Sequence, residues 1–290
     1  MSDDWVRYWR ADGLPVEAMH AHFTSHVYHR HSHESYSFGV TESGAQAFSC
    51  RRGRHVSAAG MVMAFNPDDP HDGHAASAGG FTYQMVHVWP SFFTETPLPL
   101  FRAPVLDDPA AAAALRRLFA ALTGPATALE RHDRLVRASR LLVRHASSPA
   151  SSSVSVSASG GAPVRPVHVA ARVRALIHDC VSADVTADDL ASAAGCSRYA
   201  AYRAFVTAYG LAPSDYQRQL RIRMARRLLA SGVTPAQAAA EAGFADQAHL
   251  TRWFRRCYGV TPAAYQRSLL TAGLSGLSAE RSENHSRRGR

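Results

Sequence analysis

Short apolar or alternating runs characterise the first ninety residues of the chain. They are separated by turn-forming residues such as Gly53, Gly60 and the pair Asn66 and Pro67. Short runs at such intervals predict the strands of a small barrel or sandwich. The predicted strands are Phe23–Tyr28, Tyr36–Val40, Ala45–Cys50, Met61–Phe65 and Phe81–Trp89.

The hydrophobic period then changes from two residues to that of a helix. Asp107–Leu122 and Ala126–His145 both carry apolar residues three and four positions apart, which predicts two amphipathic helices. Their apolar stripes could pack on the preceding barrel or on a second copy of the chain, and the pattern leaves both arrangements open.

An uncharged tract rich in serine, Ser147–Pro163, separates these elements from the rest of the chain. It has too little apolar surface to order itself, which predicts a flexible linker. We therefore expect five segments. They are a strand-rich domain (1–105), a helical dimerisation or packing segment (106–146), the linker (147–163), a helical domain (164–270) and a disordered tail (271–290).

A repeated pair of helices follows the linker. Each pair begins with a threonine that can cap a helix, contains a glycine stop, and continues into a second helix. The two pairs span 186–209 and 234–258, which is the pattern of two helix-turn-helix motifs. The helix predicted between them, Pro213–Ala230, would be roughly 27 Å long. It could therefore hold two recognition helices about one DNA turn apart.

Charge and composition support this division. The chain has 290 residues, is 46% hydrophobic and carries a formal net charge of +9. Residues 1–163 are neutral overall, whereas 164–270 carry a net charge of +7, as expected if only the second part meets phosphate. The four cysteines show no CxxC spacing, and we find neither a secretory signal nor an 18-residue apolar run. We expect a cytoplasmic protein that does not enter a membrane.

The stretch from Leu190 to Tyr265 closely resembles the DNA-binding domain of the AraC/XylS family of bacterial transcription regulators. The residues that carry the resemblance are Leu190, Ala191, Ala194, Gly195, Ser197, Arg203, Phe205, Gly210, Pro213, Tyr216, Arg221, Ala225, Leu228, Leu229, Ala238, Ala242, Gly243, Phe244, His249, Leu250, Arg252, Phe254, Arg255, Arg256, Gly259, Val260, Thr261, Pro262 and Tyr265. At Ala201 the family usually has the larger leucine, so we expect the first recognition helix to pack more loosely or Tyr202 to compensate.

This resemblance implies a role for individual side chains. The base-facing positions fall on Tyr199, Tyr202, Arg203, Gln247, His249, Thr251 and Arg252. Arginine and glutamine can bind guanine and adenine edges with two hydrogen bonds each. Arg255 and Arg256 are expected to contact phosphate and to set the register.

The first domain is rich in histidine, with His31 and His33 forming an HxH motif and His71 following an Asn-Pro turn. This arrangement looks like the cupin-type sensory domain of AraC-family regulators. The resemblance implies a ligand pocket lined by His31, His33, Phe38 and His71. Metal cupins normally carry a glutamate after the HxH motif, but Ser37 and Phe38 occupy those positions here, so we expect neither a catalytic site nor a metal or other cofactor. Metal as a sensed ligand or a structural ion stays a lesser alternative.

The expected fold class is α+β multidomain: a cupin-like β-barrel with two following helices, then an all-α domain with two helix-turn-helix motifs. The expected function is sequence-specific regulation of transcription, most commonly activation in this family, controlled by a small molecule in the first domain. The expected partners are double-stranded promoter DNA, the effector, a second copy of the chain and RNA polymerase. The alternative is a cupin-fold metal-dependent enzyme fused to a DNA-binding domain.

Overall fold

A computed structural model describes residues 3–11, 13–51, 53–93, 98–147 and 166–269. Nearly all of the predicted linker and the whole predicted tail lie outside these residues. The chain divides into two units, which we call the sheet unit (Met1–Ser151 with Arg255–Arg290) and the helical unit (Ser152–Phe254). The sequence analysis instead placed residues 255–270 in the same domain as the preceding helices, within 164–270.

The sheet unit contains two antiparallel sheets that share one long strand, and a separate pair of short antiparallel strands, Leu100–Phe101 and Ala146–Ser147. The strands are Trp5–Arg10 (β1), Val16–Phe23 (β2), Tyr28–His31 (β3), Tyr36–Cys50 (β4), Gly53–Ala58 (β5), Val62–Phe65 (β6), His71–Ala75 (β7), Phe81–Val88 (β8), Leu100–Phe101 (β9), Val105–Leu106 (β10) and Ala146–Ser147 (β11). The first half of β4 lies between β8 and β6, and its second half pairs with β5 and β7. β4 thereby joins the two sheets that enclose the interior of this unit.

Two helices, Pro109–Thr123 (α1) and Ala128–Val143 (α2), cover the outer face of the larger sheet. Asp108 accepts hydrogen bonds from the backbone N–H groups that begin α1, and Thr127 caps α2 in the same way. Leu118 and Leu135 lie in one hydrophobic core with residues of β4 and β8. The buried apolar residues of both helices therefore pack on the chain's own sheet, whereas Leu129 of α2 is 71% exposed. Association with a second copy stays a prediction.

The helical unit is built from short helices with well-defined ends. They are Pro166–Asp179 (α3), Ala187–Ala194 (α4), Arg198–Tyr209 (α5), Pro213–Ala230 (α6) and Pro235–Glu241 (α7), followed by Gln247–Tyr258 (α8), whose last four residues belong to the sheet unit. Thr186 and Thr234 each form a capping box at the start of α4 and α7. The predicted bounds of α6 match the observed ones, and the two helix-turn-helix motifs are α4–α5 and α7–α8.

Arg221 of α6 fixes the second motif to the loop before the first. Its guanidinium donates to the carbonyl oxygens of Val181 (2.8 Å), Ala183 (2.8 Å) and Gly243 (2.6 Å). Gly243 has a left-handed backbone, and a Cβ atom there would lie 2.4 Å from the carbonyl oxygen of Ser182. Only glycine satisfies both the conformation and this close approach.

Two strand predictions were wrong. Phe23–Tyr28 is a break between β2 and β3, because Asp4 accepts hydrogen bonds from the backbone and hydroxyl of Thr24 and holds the chain in a turn. Tyr36–Val40 and Ala45–Cys50 form one strand, since the register irregularity between Thr41 and Ser43 and the left-handed backbone of Gly44 do not end β4. A Cβ atom at Gly44 would lie 2.0 Å from the carbonyl oxygen of Gly80, so glycine is needed for the close approach of β4 and β8.

Candidate DNA-recognition surface and ligand cavity

The second helix of the first motif, α5, presents a polar and aromatic face to solvent. Tyr199 is 68% exposed and Tyr202 is 50% exposed. Arg203 is also exposed, and its guanidinium lies 5.4 Å from the centroid of the Tyr199 ring. On the opposite face, Ala201 and Phe205 are buried in a core shared with α3. The predicted base-facing residues therefore share the outer face of a helix that is anchored from behind.

The second helix of the second motif, α8, also has one polar face exposed to solvent and one apolar face that is buried. Gln247 and Arg252 are exposed, whereas Leu250 and Phe254 are fully buried. His249 and Thr251 are half-buried, and the His249 ring makes an edge contact with Phe244 with the centroids 5.3 Å apart. The structure thus exposes Gln247 and Arg252 fully, and leaves His249 and Thr251 less accessible.

Part of the positive charge of the C-terminal region serves packing. Arg223 and Arg226 of α6 are buried, and Arg218 lies 4.0 Å from the centroid of the Trp253 ring of α8. In contrast, Arg255 and Arg256 near the end of α8 are exposed. The net charge of this region therefore overstates the charge available to phosphate, a distinction that charge counting could not make.

The interior of the sheet unit contains a small cavity of about 40 Å³. Seven strands, β1 to β4 and β6 to β8, supply most of its wall. The lining residues are Tyr8, Met19, Tyr28, His31, His33, Gln46, Phe48, Met63, Phe65, His71, Asp72, Gly73, Tyr83, Met85, His87, Cys257 and Tyr258. The predicted pocket residues His31, His33 and His71 are among them, at the ends of β3 and β7.

Backbone carbonyl groups orient two of these imidazole rings. The Nδ1 atom of His31 lies 2.8 Å from the carbonyl oxygen of His29, and Nδ1 of His71 lies 2.9 Å from the carbonyl oxygen of Asp69. Because a carbonyl oxygen can only accept, Nδ1–H donates in both rings and Nε2 carries the lone pair. The pairing of β3 with β7 is irregular between Tyr28 and His31. As a result, the side chains of Tyr28 and His31 are both buried inside the sheet unit.

Burial controls the charge of the cavity wall. It lowers the pKa of His71 to about 4, and it lowers the pKa of His31 well below its usual value with a further contribution from His71. Tyr28 and Tyr83 share a 2.8 Å hydrogen bond between their hydroxyl groups, and burial raises the pKa of both. Both imidazoles and both phenols are therefore uncharged at neutral pH.

Phe38, which we predicted to line the pocket, does not lie on the cavity wall. It packs instead in the core between the larger sheet and the two helices, with its ring centroid 5.2 Å from that of Phe101. Side chains alternate along a strand, so the neighbouring Ser37 faces the interior. Its Oγ atom lies 2.9 Å from Nδ1 of His87. The error is one of strand parity, which the sequence pattern around Phe38 did not reveal.

Sequence reasoning missed the methionine, tyrosine and His87 contributions to the cavity. Tyr83, Met85 and His87 alternate along β8 and all reach the cavity. The polar and apolar alternation of Phe81–Val88 was visible in the sequence, but an alternating strand does not show which of its two faces encloses a cavity.

Residues 255–269 belong to the sheet unit, and Cys257 and Tyr258 among them line one side of the cavity. The Tyr8 hydroxyl donates to the carbonyl oxygen of Tyr258 at 3.1 Å, and the Tyr265 hydroxyl donates to a carboxylate oxygen of Glu17 at 2.8 Å. All four residues are buried. The end of α8 is therefore part of the wall of the cavity.

Comparisons with known families assign both parts of the chain. The family model described as an AraC-like ligand binding domain matches residues 13–142, and the model of a helix-turn-helix domain matches residues 190–268. The chain belongs to the AraC family of transcription regulators, with a ligand-binding domain followed by a DNA-binding domain.

Two relatives carry names of the same kind. An uncharacterized HTH-type transcriptional regulator of Bacillus subtilis, YbfI, is 27% identical over 245 residues, which cover 82% of this chain and 86% of YbfI. The transcriptional activator NphR of a Rhodococcus species is 36% identical over 92 residues, which cover 31% of this chain and 26% of NphR.

Crystal structures of ToxT from Vibrio cholerae share the fold. An apo ToxT variant is 11% identical with a TM-score of 0.56, and the match covers 90% of this chain and 100% of ToxT. A ToxT structure with a bound unsaturated fatty acid is 11% identical with a TM-score of 0.52, covering 93% and 96% of the two chains. The predicted fold class is confirmed. Within the described residues, no helix has the length and apolar character needed to cross a membrane.

Proposed function

We propose that this regulator activates transcription by reading promoter DNA with two consecutive recognition helices. In this proposal, α5 and α8 present the base-reading side chains, and the end of α8 contacts the phosphate backbone. The base-reading residues are Tyr199, Tyr202, Arg203, Gln247, His249, Thr251 and Arg252, and the phosphate-contacting residues are Arg255 and Arg256.

One observation carries this proposal. Each motif anchors its second helix through fully buried residues, Phe205 in α5 and Phe254 in α8, while an arginine of the opposite face, Arg203 or Arg252, is exposed. An exposed arginine on a rigid helix can donate two hydrogen bonds to a guanine edge. A merely solvated helix surface would not require the same arrangement in both motifs.

The effector is proposed to bind in the cavity of the sheet unit. ToxT binds an unsaturated fatty acid, but the cavity here, at about 40 Å³, is far smaller than the roughly 300–1,000 Å³ of pockets for organic ligands. A very small ligand fits as the cavity stands. The flexible side chains of Met19, Met63 and Met85 on its wall would have to move to admit a larger one.

The remaining features of the proposal concern the assembly. We propose a homodimer that works in the cytoplasm without enzymatic activity and recruits RNA polymerase. The outer surface of α2 is a candidate contact, since Leu129 is 71% exposed there. A dimer would place four helix-turn-helix motifs on two half-sites.

Footprinting of the full-length protein on genomic DNA tests the proposal. We expect each half-site to contain two protected major-groove segments about 10 base pairs apart on one face of the duplex. The double variant Arg203→Ala/Arg252→Ala should lose both protected segments. The control Arg116→Ala, which removes an exposed arginine from α1, should keep them. Unchanged protection by the double variant would contradict the proposal.

A further inference from the structure

Three histidines that are distant in sequence meet on the cavity wall. His31, His33 and His71 each offer a ring nitrogen, and these nitrogen atoms all lie within 4.8 Å of one another. Around a tetrahedral ion with bonds of about 2.1 Å, ligand nitrogens are about 3.4 Å apart. Small rotations of the rings would bring the three donors to that separation.

The hydrogen bonds of His31 and His71 match those of metal ligands. A metal-bound histidine typically donates its second ring N–H to a carbonyl or carboxylate group, which fixes the tautomer and the ring orientation. Here Nδ1 of both rings lies within 2.9 Å of a backbone carbonyl oxygen, and Nε2 remains as the donor atom for an ion.

The surroundings favour a borderline transition metal over a hard cation. Imidazole nitrogen suits zinc, nickel, iron and copper, whereas magnesium and calcium prefer oxygen ligands. The nearby Asp72 uses one carboxylate oxygen to accept from the backbone N–H of Ser49 at 2.6 Å. A cavity of about 40 Å³ has room for an ion and a few water molecules, because a single water needs only about 10–15 Å³.

We propose that the sheet unit binds one divalent transition-metal ion through His31, His33 and His71, and that this ion is an effector of the regulator. The metal site stands on the geometry of the three histidines. The role as effector rests on the proposed function, because it requires that occupancy of the cavity changes the affinity for promoter DNA.

Titration of the full-length protein, freed of any polyhistidine tag and treated with EDTA, tests the site. We expect one Co²⁺ per chain, with the visible absorption bands of a nitrogen-ligated ion, and displacement of Co²⁺ by Zn²⁺. His31→Ala and His71→Ala should each weaken binding by at least about 100-fold, the upper end of the effect of losing a ligand's supporting partner.

Each variant has a matched control on the same strand. His29→Ala changes an exposed histidine of β3, and His74→Ala changes an exposed histidine of β7. Both should bind Co²⁺ like the unmodified chain. If His31→Ala or His71→Ala fails to fold, His33→Gln at the half-buried third histidine replaces it. The ¹⁵N resonances of the histidine rings in the unmodified protein give a second measurement. Three ring nitrogens should shift on addition of Zn²⁺.

The effector role is tested by promoter affinity with Zn²⁺ and with EDTA. We expect at least a fivefold difference for the unmodified protein and none for His71→Ala. Failure to bind Co²⁺, or equal binding by the cavity and control variants, would overturn the metal site while leaving promoter binding intact. Stoichiometric binding with unchanged promoter affinity would overturn the effector role. Metal binding without any promoter binding would instead count against the proposed function.

Discussion

The two candidate sites of this protein are built in opposite ways. In the sheet unit, the candidate side chains are inside: His31 and His71 are buried and oriented by backbone carbonyl groups. In the helical unit, the candidate side chains are outside: Arg203 is exposed and carried by a helix whose other face is buried. A substitution at the cavity therefore alters the packing of the protein interior. A substitution on the recognition face removes only a contact with DNA at the surface.

This difference separates effects on stability from effects on recognition. A substitution in the core, or at a glycine where two backbone segments lie close together, should lower the free energy of unfolding. An exposed arginine of a recognition helix should change DNA affinity and leave unfolding nearly unaffected, since surface substitutions usually alter stability by less than about 0.5 kcal/mol.

The largest expected effect concerns Phe38, which lies in the core behind the cavity. Phe38→Ala should lower the free energy of unfolding by about 3–5 kcal/mol, because it removes a fully buried ring from between β4 and the helices. Urea denaturation followed by circular dichroism measures it. Phe92→Ala, at the half-buried edge of the same core, should cost less. A loss below about 1 kcal/mol for Phe38→Ala would place this ring outside the core.

A smaller effect is expected where the second motif meets the loop before α4. Gly243→Ala should lower the free energy of unfolding by about 2–4 kcal/mol, because the left-handed conformation and the overlap with Ser182 both disfavour a Cβ atom. Gly232→Ala is the matched control, since Gly232 is also left-handed but has nothing within 4 Å of its Cβ position. It should cost about 1–2 kcal/mol. Equal losses would show that the close approach contributes nothing.

The smallest effect is expected at the phosphate-contacting end of α8. Arg256→Ala should weaken binding evenly across DNA sequences and reduce the slope of log affinity against log salt by about one, because one fewer counterion is released. Fluorescence anisotropy at several salt concentrations measures both quantities. A loss confined to the preferred sequence would contradict the phosphate assignment.

The helices were predictable from the sequence because their signals are local. Ser197 and Gly210 mark the two ends of α5, and an apolar stripe at helical spacing lies between them. Thr186 and Thr234 mark the starts of the first helices of both motifs in the same way. Each of these signals acts within a few residues, so tertiary context did not alter them.

The sheet unit was less predictable because its structure depends on distant contacts. Glycine is needed at position 44 because the backbone of Gly80 lies close to it. The strand break after Phe23 depends on the hydrogen bond from Thr24 to Asp4. The cavity face of β4 could not be assigned either, so Phe38 was placed on the wrong side. The structure brings His31, His33 and His71 together, as the resemblance to the cupin-type sensory domain implied. Their role in ligand binding stays a prediction.

The central claim is that exposed side chains of α5 and α8 read bases, and the specificity of Arg252→Ala tests it most directly. The measurement compares the affinities of this variant and the unmodified protein for a panel of operators, each with one base pair changed. We predict a loss of about 1–3 kcal/mol at the preferred operator and relaxed discrimination at the position read by Arg252, with discrimination under α5 retained. An even loss across the panel, with every base preference unchanged, would contradict the account.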